Sequence, residues 1–280
     1  MKLTCYPKIN LGLRVHPIDN LGYHPIQSIF LYSIGELKDE IQISPNQSTE
    51  ISITNYEIKK TENLVYKAHL ALRQNGVCLD KHKITITKKI PTGAGLGGGS
   101  SNAGIYLKAF GSELKNLERV ALGLGADIPF FLQNKACIVS GYGEILQPIE
   151  EEIEIPAVII TSNVHCATKE IFKVFDELPK VHWEYKPKLI IEHLLSADPA
   201  LMQYLSNDLE RASSRLHPKL AELFYELRQI LIEQCFYCGM SGSGSSFFAL
   251  FKTLDRRQTA YEELREAGFQ AYKSRLCSMI

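Results

Sequence analysis

No stretch of this 280-residue chain approaches the roughly twenty consecutive apolar residues that a membrane-spanning helix needs, so no membrane partner is expected. An excess of one charge is also missing. Lys and Arg together number 31, as do Asp and Glu. That balance argues against a nucleic-acid partner or any general polyanion-binding surface, though not against one local basic site. A disulfide framework is absent: the seven cysteines are odd in number and scattered. They read as reduced thiols of a cytoplasmic protein. Cys235 and Cys238 form a lone C-x-x-C, and zinc would need a second ligand pair. Met1-Lys2 leads straight into strand-like residues without a signal or transit pattern. What remains is an ordinary globular composition, 45% hydrophobic, long enough for one large domain or two small ones.

Glycine, in contrast, is concentrated. Pro91-Thr92-Gly93-Ala94-Gly95-Leu96-Gly97-Gly98-Gly99-Ser100-Ser101-Asn102-Ala103 holds five glycines in thirteen residues. An alternating strand signal, Lys83-Ile84-Thr85-Ile86-Thr87, precedes it, and an apolar helical pattern, Ala103 to Phe110, follows. Strand, glycine loop and helix together form an anion cradle. Glycines let backbone N–H groups turn inward, and the helix start adds unpaired donors and a positive dipole end. Ser100 or Ser101 could cap that helix while touching phosphate or its metal ion. No Gly-Lys-Ser/Thr ends the stretch, which excludes a Walker A loop. Gly93 to Gly98 matches a dinucleotide fingerprint only weakly, since Glu113 and Glu118 downstream lie in a polar helical stretch rather than at a strand end.

Elsewhere the residues leave choices open. Residues 1 to 15 read as one opening strand, within which Lys8 would most simply be an exposed edge lysine. Asp19-Asn20-Leu21-Gly22 is a turn signal between that strand and Ile26 to Leu31, which makes a hairpin and puts Tyr23 and His24 at a strand start. Ile41 to Ile43 and Ile51 to Ile53 alternate as strands; Glu62 to Gln74 reads as a helix starting at Thr61. Asp127, before Pro129-Phe130-Phe131, is either a turn or cap aspartate or a carboxylate with a task. Thr168 starts a helix whose Phe172 is core or ligand-facing. Gly239-Met240-Ser241-Gly242-Ser243-Gly244 is a second glycine loop, an anion nest or a tight turn between strands. Asn207-Asp208-Leu209-Glu210 is a landmark to which no chemistry is assigned.

The thirteen-residue string resembles the phosphate loop of the GHMP kinases, and the rest of the chain agrees. Lys8-Ile9-Asn10-Leu11 is similar to that superfamily's first motif, with Pro7 standing where a small residue is usual. Gly125-Ala126-Asp127-Ile128-Pro129-Phe130-Phe131 is similar to its catalytic aspartate segment, and Met240-Ser241-Gly242-Ser243-Gly244 to its third motif. Gly22-Tyr23-His24 resembles the mark of the branch whose acceptor is a cytidylyl-methylerythritol, an intermediate of isoprenoid precursor synthesis. The resemblance implies an α+β, two-lobed GHMP kinase fold: residues 1–150 with the phosphate loop, 151–280 with the second glycine loop. It implies ATP and Mg²⁺ as cofactors, and transfer of the γ-phosphoryl group to the 2-hydroxyl of that small-molecule substrate. Pro91, Thr92, Gly93, Ala94, Gly95, Leu96, Gly97, Gly98, Gly99, Ser100 and Ser101 would hold ATP. Lys8 and Asp127 would be catalytic. Asn10, Tyr23, His24, Thr168 and Phe172 would hold the substrate, with Tyr23 and Phe172 closing on the two faces of cytosine and His24 bonding its edge. No protein ligand for the metal is assigned, and nothing sets an oligomeric state. Two alternatives are another small-molecule kinase of the superfamily, against which Gly22-Tyr23-His24 argues, and a non-catalytic ligand-binding member, against which Lys8 and Asp127 argue.

Overall fold

Tyr6 and Pro7 split the opening strand in two. β1 (Lys2–Cys5) and β2 (Lys8–Val15) go to different sheets, because Pro7 has no N–H to continue a ladder. The computed structural model describes residues 1–54 and 59–280. After β2 come β3 (Ile26–Gly35), β4 (Asp39–Pro45) and β5 (Glu50–Thr54), then α1 (Leu64–Gln74) and β6 (His82–Thr87). Asn63 rather than Thr61 starts α1, its side-chain oxygen accepting from the Val65 N–H. The phosphate loop then leads into α2 (Gly98–Gly111), followed by the short α3 (Leu117–Leu122).

The smaller sheet has the order β1-β4-β6-β5, with β6 between β4 and β5 and parallel to β5. Its inner face, Ile41, Ile43, Ile84 and Ile86, packs on Val65, Ala68 and Leu72 of α1 and on Ala103, Tyr106 and Leu107 of α2. The Tyr106 hydroxyl and His69 Nδ1 are 2.9 Å apart and join the two helices.

A hairpin of β7 (Cys137–Ser140) and β8 (Ile145–Pro148) precedes β9 (Glu154–Thr161). Then α4 (Thr168–Glu177), α5 (Pro187–Leu195), α6 (Glu210–Leu216) and α7 (Pro218–Leu231) lead to β10 (Tyr237–Met240) and β11 (Phe247–Leu250). The chain ends with α8 (Leu254–Glu266) and β12 (Gln270–Cys277). The larger sheet has the order β10-β11-β9-β12-β3-β7-β8, with β2 on the other side of β3. It draws strands from both sides of residue 150. Period-two alternation gives it two buried faces. Ala157, Ile159, Phe248 and Leu250 face a core shared with α5 and with Ile90 and Leu96 of the phosphate loop. Val158, Ile160, Phe247 and Ala249 face α4, α6, α7 and α8.

In β2 the alternation changes phase. Ile9 and Leu11 lie in the first core, Leu13 and Val15 in the second. The register slips between Leu11 and Leu13, where Gly12 adopts φ +69°, so a bulge turns the strand's apolar set from one face to the other.

A buried acid ties the smaller sheet to the phosphate loop. Asp39 is fully buried at the start of β4. Its Oδ1 accepts from the backbone N–H groups of Lys89 and Ile90, at 2.7 and 2.9 Å, and its Oδ2 from Lys88 Nζ and Asn102 Nδ2. All four partners are donors, so an amide here would turn an NH₂ toward donors and leave the Lys88 ammonium without its counter-ion. Asp39→Asn is expected to cost about 3–5 kcal/mol of stability, the range for breaking a buried ion pair from one side. Chemical denaturation checks it; an unchanged midpoint would mean the loop does not depend on this anchor.

Candidate active site

The side chains of Lys8 and Asn10 alternate with the core residues Ile9 and Leu11 and project into a cleft of about 980 Å³. Lys8 is buried, against the edge-lysine reading. Its ammonium donates to Asn10 Oδ1, lies 3.6 Å from Asp127 Oδ2 and sits 4.4 Å above the Phe30 ring. Burial pushes the Lys8 ammonium below the usual lysine range, and the Asp127 carboxylate pulls it part of the way back. The Asp127 side chain keeps about a third of its surface in solvent. Its turn is fixed from below: Phe130 stacks on Tyr32 at 4.5 Å, and the Tyr32 hydroxyl donates to the Phe130 and Gln133 carbonyls. Gly104 of α2 lets this segment approach, since a Cβ there would lie 2.5 Å from Phe131 Cβ.

The two glycine loops meet beside Lys8. A Cβ on Gly95 would stand 2.0 Å from the Ser241 carbonyl oxygen, so only glycine permits that crossing. Ser246 N–H donates to the Ala94 carbonyl and Ser241 Oγ to the Gly95 carbonyl. Asn207, the landmark without assigned chemistry, holds the second loop: its Nδ2 donates to the Met240 and Gly242 carbonyls at 2.9 and 2.8 Å. Gly97 begins α2 at φ +66° with no side-chain cap, neither Ser100 nor Ser101. Gly98, Gly99 and Ser100 line the cleft in the first turn, where helix N–H groups lack intrahelical partners. Pro91 through Gly95 and Gly97 line it as well. Two residues of the expected ATP set are turned elsewhere. The Leu96 side chain is in the core, and the Ser101 hydroxyl donates to the Tyr6 carbonyl while its N–H bonds the Gly97 carbonyl.

At the other end of the cleft stand Tyr23, His24, Thr168 and Phe172. Tyr23 is 65% exposed at the rim. His24 Nδ1 donates to the His16 carbonyl at 2.8 Å, and Nε2 lies 3.2 Å from Asp176 Oδ2. Phe172 stacks on the His24 ring, centroids 5.2 Å apart and planes 24° to each other, so in this structure Phe172 covers the histidine. Thr168 Oγ1 bonds Ser243 Oγ at 3.0 Å and joins α4 to the second glycine loop. Sequence reasoning missed Tyr142 and Lys169, which also line the cleft beside Ser243 of the second glycine loop. Asp39 had no local pattern to reveal it. Asp127 is the one acid among the described lining residues; Lys8 and Lys169 are the lysines.

The model for GHMP kinases N terminal domain matches residues 63–135, and that for GHMP kinases C terminal matches residues 192–270. A 4-diphosphocytidyl-2-C-methyl-D-erythritol kinase of Thermodesulfovibrio yellowstonii is 34% identical, over 92% of this chain and 93% of its own. That of Chlorobium phaeobacteroides is 33% identical, over 95% and 94%. The chain belongs to the 4-diphosphocytidyl-2-C-methyl-D-erythritol kinase family. A crystal structure of 4-(cytidine 5'-diphospho)-2C-methyl-D-erythritol kinase superposes with a TM-score of 0.83 at 31% identity, covering 99% of both chains. A homoserine kinase of Cytophaga hutchinsonii shares the fold, with a TM-score of 0.66 at 19% identity. The α+β GHMP kinase fold expected from the motifs is the fold observed.

Lys8→Met keeps the apolar stem and removes the charge. Turnover is expected to fall at least about a hundredfold, the scale for losing one aimed electrostatic donor. Stability should hold or rise, because a desolvated ammonium is removed and Asp127 remains partly solvated. The folded-state pKa of Lys8 is depressed, so the folded protein binds fewer protons than the unfolded chain between the two values. The wild type's deficit against Lys8→Met is therefore full below the folded-state pKa and shrinks as pH rises from there. Thermal melts across alkaline pH, beside turnover assays, check both parts.

Proposed function

We propose that this chain transfers the γ-phosphoryl group of ATP to the 2-hydroxyl of 4-diphosphocytidyl-2-C-methyl-D-erythritol, a step in isoprenoid precursor synthesis. One observation carries the reading: a single cleft brings a glycine-rich helix start, a buried lysine beside a carboxylate, and an aromatic-histidine cluster into one space. Two lobes, residues 1–150 and 151–280, would then each bring one glycine loop to it.

Phosphoryl transfer asks mainly for positioning and charge stabilisation. The first-turn N–H groups of α2 and the positive end of its dipole would hold the ATP phosphates. Asp127 would accept the proton of the acceptor hydroxyl as it attacks phosphorus. Lys8, wedged between Asp127, Asn10 and Phe30, cannot swing away, so its charge stays aimed at the transferring group. Its stem also packs under the loop: a Cβ on Gly97 would lie 3.2 Å from Lys8 Cγ. Among the described residues no cluster of three His, Cys, Asp or Glu forms a metal cage. The residues fit a Mg²⁺ brought in by ATP, toward which the Asp127 carboxylate and Ser100 hydroxyl, both lining the cleft, would offer oxygen donors. When bound, that ion offsets phosphate charge. At the far end Tyr23 and His24 would receive the cytosine, with Phe172 moving from the His24 ring to the base.

Asp127→Asn keeps the shape but cannot take the proton, and is expected to lower kcat by roughly 10²–10⁴ with little change in ATP binding. A variant with near wild-type turnover would remove Asp127 from this role. Tyr23→Ala should raise KM for the cytidylyl substrate by roughly tenfold to a hundredfold, from a stacking contact of about 1–3 kcal/mol, and leave KM for ATP in place. An increase for ATP instead, or for neither, would refute the nucleobase site.

A further inference from the structure

Tyr23 is carried by a loop that has little else to hold it. Leu21 and Tyr23 are 71% and 65% exposed. Inside the loop, the Asp19 N–H donates to the Tyr23 carbonyl at 2.9 Å and the Gly22 N–H to the Asp19 carbonyl at 3.0 Å. Asp19 Oδ1 accepts from the backbone N–H groups of Leu21 and Tyr23, at 2.9 and 3.3 Å. These bonds set the loop's shape but not its place over the cleft. Among the described residues, one hydrogen bond joins residues 17–23 to another part of the fold: the Tyr142 hydroxyl donates to Asp19 Oδ2. The Tyr142 ring also lies against Tyr23, centroids 5.6 Å apart and planes 60° to each other.

Tyr142 is itself well placed. It sits in the turn between β7 and β8, its own N–H donating to Glu144 Oε2 at 2.6 Å. The neighbouring Gly141 carbonyl accepts from the Ile26 N–H at 2.6 Å, where β3 begins. On the other side, a Cβ on Gly143 would lie 3.6 Å from Asp127 Oδ1. One rigid turn therefore runs past the catalytic carboxylate and ends on the loop of Tyr23. The hydrogen bond holds the Asp19 carboxyl low and the Tyr142 hydroxyl high, as expected for a phenol donating to a carboxylate.

We infer that Tyr142, acting through Asp19, is a positioning residue that fixes Tyr23 as the wall of the nucleobase subsite and so sets affinity for the cytidylyl substrate. The inference rests on the nucleobase reading proposed above. Tyr142→Phe keeps the ring against Tyr23 and removes only the donor. Assayed on the full chain with 4-diphosphocytidyl-2-C-methyl-D-erythritol and ATP, it should raise KM for the cytidylyl substrate about threefold to tenfold, the range for one hydrogen bond. The values of kcat and KM for ATP should stay within about twofold, a split that general destabilisation would not produce. In a Tyr23→Ala background the same change should add less than about twofold, because the side chain being positioned is gone. If Tyr142→Phe leaves KM unchanged while Tyr23→Ala raises it, the positioning role is wrong and the nucleobase reading stands. An equal effect in both backgrounds also overturns it, since Tyr142 would then act without Tyr23. If Tyr23→Ala itself has no effect, the nucleobase reading fails and this inference fails with it.

Discussion

The free edge of β2 is the constraint on which the site depends. β3 pairs with one side of β2, and among the described residues no strand lies along the other. Buried backbone N–H groups need acceptors, and here loops supply them. Lys8 N–H donates to the Leu96 carbonyl, Asn10 N–H to Ser241 Oγ and Leu13 N–H to the Ser206 carbonyl. The first acceptor belongs to the phosphate loop, the second to the second glycine loop. Satisfying the edge therefore brings both loops to Lys8 and Asn10. Strand alternation does the rest, since Ile9 and Leu11 take the core side.

Close approach then decides which residues can stand there. The loops cross backbone to backbone at Gly95, and Gly97 lies on the Lys8 stem, both at positive φ. Side chains would separate the loops and lift the helix start away from the lysine. Burying Lys8 costs solvation, and its partners offset that only in part: one carboxylate, one amide oxygen and one ring face. A lysine free to reach solvent would be the more stable choice. Its retention in the cleft makes sense if a charge must stay aimed at a phosphoryl group.

What could be read from the chain follows from how local each signal is. Glycine loops, the Asp127 turn and most strands announce themselves through neighbouring residues, and these were legible. Pairing across distance was not. β5 reads as a strand, but its parallel place beside β6 depends on a crossover through α1. Lys8 looks like an edge lysine until Phe30 and Asp127 close over it. Asp39 is one acid at a strand start, and its four donors come from residues 88, 89, 90 and 102. Leu96 and Ser101 sit inside the glycine-rich string yet turn inward, and so anchor the loop whose other residues line the cleft. Tyr142 carries no motif at all; only the β7–β8 turn brings it to Asp19.

Helix α4 joins the second glycine loop to the His24 cluster. Thr168, Phe172 and Asp176 are spaced by four residues, so they stand on one face. Thr168 bonds Ser243 of the second glycine loop, Phe172 lies on His24, and Asp176 faces the His24 edge. The adjoining face, Ile171 and Phe175, is packed into the core, which fixes the helix against rotation. Thr168 and Phe172 are about one turn apart, roughly 6 Å along the axis, so the helix holds its contact with Ser243 and its contact with His24 at a fixed interval. The spacing along this wall of the cleft is thus set by a packed helix rather than by any single contact.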